Sequence, residues 1–139
     1  MTPIDVLISK HSWMLQCWDD NHGRGVWAVI GPVMLHMDTI REMLDGVDDV
    51  CIPMGFILGG VCSWLPTATA ATPTEAMNAL NRKLAKLPAE QLGRTTDWGT
   101  AVFRGFERLV ELNEARYLLN SIERGNVIEP VLVAPAITA

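Results

Sequence analysis

A chain of 139 residues, 49% of them hydrophobic and 19% charged, is long enough for one domain with a core of its own. Sixteen acids against eleven bases give a net charge of −5, which argues against a nucleic-acid backbone as the main partner. Three cysteines without a CxxC spacing favour reduced thiols over a disulfide framework, and the start MTPID lacks the basic region of a signal peptide, so the expected setting is cytoplasmic or within a soluble assembly.

In chain order, Thr2-Pro3-Ile4-Asp5 writes a helix start: Thr2 as N-cap, Pro3 in the first turn, Asp5 as the capping-box acid. Val6, Leu7, Trp13, Met14, Cys17 and Trp18 recur at rough three-to-four spacing, which predicts one helix as far as the Asp19-Asp20-Asn21-His22-Gly23 stop. VWAVIG, residues 26–31, reads equally as a short buried strand or a helical turn. Val33, Met37, Ile40 and Leu44 then predict a helix that Gly46 ends.

Residues 50–65, VCIPMGFILGGVCSWL, hold no charge. A membrane span needs about 20 apolar residues, and Asp48-Asp49 leaves no room to lengthen this one. Helix or hairpin, the stretch belongs in a protein interior, partly at a subunit contact. PTATAATP (66–73) reads as a small-residue linker. Thr72-Pro73-Thr74-Glu75 repeats the opening grammar and starts a helix whose Met77, Leu80, Leu84 and Leu87 share a side. A long helix is expected over 97–124, capped by Thr96 or Asp97, with Trp98, Val102, Phe106 and Leu109 on one face. The final segment, NVIEPVLVAPAITA, cannot be helix or central strand because of Pro130 and Pro135, and is too apolar for a free tail.

The expected fold class is therefore mainly α. One helical domain spans 1–125, with small β elements near 26–31 and 50–65, and 126–139 form an extended C-terminal arm.

No catalytic constellation is written in these residues. Cys17 lies six and five residues from His11 and His22, off their helical face. Asp19, Asp20, His22 and His36 lack the spacings that make a metal site, so no metal or cofactor is expected. Arg82, Lys83, Lys86 and Arg94 read as a solvated basic face, and Arg104, Glu107, Arg108, Glu111 and Glu114 as a solvated ion-pair face. The mean hydropathy of +0.19 exceeds what a small monomer hides readily. The expectation is a non-enzymatic structural or interaction protein, a homo-oligomeric component of a larger assembly such as a viral or phage particle. Its contact residues would be Val127, Ile128, Val131, Leu132, Val133 and Ile137 of the arm, with Trp98, Phe106 and Tyr117. Two alternatives stand beside it: a small acidic adaptor or inhibitor that binds a protein partner, and a membrane-active protein inserting a 26–65 hairpin.

Overall fold

The computed structural model describes residues 1–20, 23–45, 58, 60 and 62–122, with side chains in the last helix described as far as 115. Helix α1 (Pro3–His11) begins as its sequence dictates. The Thr2 hydroxyl accepts from the Asp5 N–H at 3.2 Å, and the Asp5 carboxylate accepts from the Thr2 N–H at 3.0 Å. These bonds hold the Asp5 carboxyl below its ordinary pKa.

The helix stops at His11 instead of running on to 18. Ser12 turns left-handed (φ 57°, ψ 33°), the Trp13 N–H donates to the Leu7 carbonyl, and the Arg94 guanidinium closes over the carbonyls of His11 and Ser12 at 2.7 and 3.1 Å. The chain then enters strand β1 (Met14–Asp19), which pairs antiparallel with β2 (Val26–Gly31) from Met14↔Gly31 to Asp19↔Val26. Helical spacing at 13, 14, 17 and 18 loses to this non-local pairing, since a strand records its cross-strand surroundings more than any local preference.

A polar knot fixes the hairpin turn. The Asp20 side chain is wholly buried and its Oδ2 accepts from Arg24 Nε and from Trp27 Nε1, both at 2.6 Å. Asp20 N–H donates to the Gly25 carbonyl, and Gly25 sits at φ 109° so close to Ala70 that a Cβ would stand 2.6 Å from its carbonyl oxygen.

That contact introduces β3 (Thr67–Ala70), which pairs with the other edge of β2 in the register Val26↔Ala70 to Val29↔Thr67. The sheet order is β1-β2-β3. TATA was expected as linker, yet alternating threonine and alanine give a strand slim enough for the Gly25 approach and for the helix that follows it, Pro73–Leu84, to pack on it.

Helix α2 (Met34–Asp45) buries Met37, Ile40 and Leu44 completely. Helix α3 (Pro73–Leu84) is capped by Thr72, whose hydroxyl accepts from the Glu75 N–H, and buries Ala76, Leu80 and Leu84. After a 3-10 turn at Ala89–Gln91 comes α4 (Asp97–Ile122), 26 residues and about 39 Å long. The Thr96 hydroxyl caps it, accepting from the Gly99 N–H and donating to the Gln91 carbonyl.

The helices work in pairs, α1 with α3 and α2 with α4, and both pairs cover β2, every residue of which is buried. Trp98, Val102, Phe106, Leu109 and Leu112 form the buried stripe of α4. Gly31 leaves room for the Phe106 ring, 3.2 Å from where a Cβ would lie, and Trp13 stacks on Trp98 with centroids 5.3 Å apart.

Four α-helices around a three-stranded antiparallel sheet make a mixed α/β fold among the described residues, which overturns the mainly α class. Val26–Gly31 as a central strand also removes the first arm of a helical hairpin over 26–65. No helix among the described residues is long and apolar enough to cross a membrane. The helix-or-hairpin question over 50–65 falls outside the described residues, apart from buried Leu58, Cys62 and Leu65 and their described neighbours. The boundary at 125 and the arm at 126–139 lie outside them as well.

Candidate functional site

Two surface features rise from this framework. The first is an apolar face where α2 meets α4. Leu35 is 68% exposed, Met34 52% and Phe103 37%, while the neighbouring His36 lies buried, its ring 5.2 Å from that of Phe103 and 6.5 Å from Phe106. Burial lowers the His36 pKa, opposed by the nearby Glu107 charge.

The second is a concave cleft of about 570 Å³ beside the C-terminal end of α3. Its floor includes Trp98 and Leu84, both buried, and its walls Trp64 and Leu87. Arg82, Lys83 and Lys86 line it too. Trp64 is seated by Gly105 of α4, where any side chain would strike the indole. Lys83 is tied down: its ammonium donates to the carbonyls of Leu65 at 2.6 Å and Thr67 at 3.0 Å, bracing the entry to β3. Burial, with Lys86 beside it, draws its pKa down to about 8, while the two carbonyls favour the protonated form.

The expected contact residues divide. Trp98 and Phe106 are 2% and 0% exposed, taken up by the chain's own core. Tyr117 lies on α4 beyond the described side chains, and Val127, Ile128, Val131, Leu132, Val133 and Ile137 lie outside the described residues altogether. Sequence reasoning passed over Met34, Leu35 and Phe103. Their one signal is being large, apolar and off the stripes that Met37–Leu44 and Trp98–Leu112 define.

The basic quartet also divides, since Arg94 caps α1 and Lys83 braces β3, leaving Arg82 and Lys86 without a carboxylate partner among the described residues. Arg108 and Glu111 do pair, at 3.5 Å with both half exposed, a geometry worth little. Cys17 lies on β1 opposite Ala28, and Cys62 is buried; both are free, and burial pushes both thiols up in pKa, away from the reactive thiolate. No group of three or more His, Cys, Asp or Glu is arranged to hold a metal among the described residues.

Comparison of the chain with protein-family models, with curated proteins and with solved structures returns no match.

Proposed function

We propose that this chain is a non-enzymatic structural protein that associates with copies of itself, in the cytoplasm or inside a soluble assembly. The observation that carries this reading is the exposed apolar face of Met34, Leu35 and Phe103 on paired helices. Burying a large apolar side chain fully is worth roughly 1.5–3 kcal/mol. Three such residues about half exposed, counted on both copies of a two-fold contact, supply about 6 kcal/mol. Association costs about 4–15 kcal/mol in lost freedom, so this face alone makes a weak dimer and a second contact is needed. The apolar segment 127–139 is the candidate for it, because its six large apolar residues have no core of their own.

Light scattering on the full chain and on the double variant Leu35→Asp, Phe103→Asp tests the reading. The parent is expected above monomer mass and the variant shifted toward monomer while still folded, with a melting temperature lowered by the loss of the Phe103 ring's contact with His36, since Phe103 is only 37% exposed. Deleting 127–139 is expected to weaken assembly more than it lowers the melting temperature. A parent that stays monomeric at high concentration overturns the proposal.

A further inference from the structure

We propose that the cleft at the end of α3 binds a small anionic molecule with an apolar body, of which an aryl phosphate is the simplest representative. Its volume of about 570 Å³ falls within the range of small-molecule sites, and its apolar floor and walls with a few convergent polar groups match their make-up. Among the described residues three cations, Arg82, Lys83 and Lys86, line it and no acid does, in a chain whose net charge is −5.

Arg82 lies in the last turn of α3 and Lys86 just past its end, beside the Lys83 ammonium, and neither Arg82 nor Lys86 meets a carboxylate among the described residues. Two of the three donors of the Lys83 ammonium are used by Leu65 and Thr67, which leaves one to offer. The dipole of α3 accounts for cations near its C-terminus. It does not account for a concave apolar wall between them, formed by Trp64, Leu87 and Trp98. An anion at the rim relieves the repulsion among the three cations, while an attached ring covers the half-buried Trp64 indole.

The test titrates the full chain with phenyl phosphate, with benzyl alcohol (the body without the charge) and with inorganic phosphate (the charge without the body). The readout is the indole N–H resonances of the five tryptophans, with Trp64 identified through Trp64→Phe. Phenyl phosphate is expected to shift the Trp64 or Trp98 signal saturably, and each half-molecule to bind more weakly by about tenfold or more. Arg82→Gln with Lys86→Gln shortens two exposed side chains, keeps them polar and removes their charges, so the fold is retained. Its expected loss of phenyl phosphate affinity is about tenfold or more, as charge-assisted bonds of this kind imply. The proposal is overturned by an absence of saturable shifts at these indoles, by equal binding to the double variant, or by benzyl alcohol binding as tightly as phenyl phosphate.

Discussion

Replacing Asp20 by alanine probes the buried charge at the start of the hairpin turn. Its carboxylate, with no exposed side-chain surface, accepts from Arg24 and from the Trp27 indole at 2.6 Å each. Alanine removes two charge-assisted bonds at once and leaves the Trp27 N–H buried beside a guanidinium that is only 29% exposed. Each such bond is worth about 1.5–3 kcal/mol, and stranding one partner of a buried pair costs about 3–5 kcal/mol. The two figures describe overlapping effects, so the expected loss is about 3–5 kcal/mol, a large part of the roughly 5–15 kcal/mol that holds a domain folded. Trp27→Phe should cost less, about 1.5–3 kcal/mol, because Arg24 keeps its partner. Combining it with Asp20→Ala should add less than the sum, since both remove the same bond. Urea denaturation reads these losses as a lower midpoint at unchanged slope. An Asp20→Ala protein within about 1 kcal/mol of the parent would refute the reasoning, because a carboxylate worth so little behaves as a surface ion pair.

Gly105→Ala should destabilise the fold although alanine is worth about 1 kcal/mol more than glycine inside a helix. The new methyl would meet the Trp64 ring and sit 2.9 Å from Leu65 Cδ2, an overpacking cost of about 1–3 kcal/mol, and a higher urea midpoint would show that Trp64 yields freely. For Lys83 the folded pKa of about 8 lies below the unfolded 10.5, so the unfolded chain holds more protons between them and stability rises as pH climbs through that window. Thermal melts from pH 7 to 11 should show Lys83→Met lacking this rise; identical pH profiles would mean the two carbonyl bonds offset the burial completely.

Helix starts were legible because they depend on three or four adjacent residues. Thr2-Pro3-Ile4-Asp5 and Thr72-Pro73-Thr74-Glu75 each place a hydroxyl, a fixed φ and an acid where the first turn needs them, and both helices begin there. The buried stripes of α2 and α4 were legible for a related reason, since helical period is written along one segment, whereas of Met77, Leu80, Leu84 and Leu87 only Leu80 and Leu84 are buried on α3, with Ala76 in place of Met77 and Leu87 past the helix end. The strands were not. β1 is set by pairing with β2 across a turn, and its Trp13, Met14, Cys17 and Trp18 also fit a helical period. β3 was hidden by its own fitness: small residues let Gly25 and α3 approach, and small residues also compose linkers. Of the site, the clustering of Arg82, Lys83 and Lys86 was visible, but not that Arg94 leaves them to seal α1. The cleft needs Trp64 and Trp98 brought together from 34 positions apart, which no local pattern records.

The two surface features meet α4 on different sides, and that separation makes a prediction of its own. At 3.6 residues per turn, Phe103 and Gly105 lie roughly 160° apart around the helix. Phe103 turns toward α2 and His36, whereas Gly105 receives Trp64 and, a turn or two earlier, Trp98 reaches the cleft. Sites without shared partners contribute additively to within about 0.5 kcal/mol, a factor of about two in affinity. The Leu35→Asp, Phe103→Asp protein should therefore bind phenyl phosphate within about twofold of the parent, even as its mass by light scattering falls. The Arg82→Gln, Lys86→Gln protein should in turn keep the parent's assembly state while losing the ligand. If the monomeric variant lost phenyl phosphate as well, α4 would have to shift between two positions as a rigid body, carrying Trp98 with Phe103. The stacked Trp13–Trp98 pair argues against such a shift, because moving Trp98 would break a contact that anchors α4 to the end of α1.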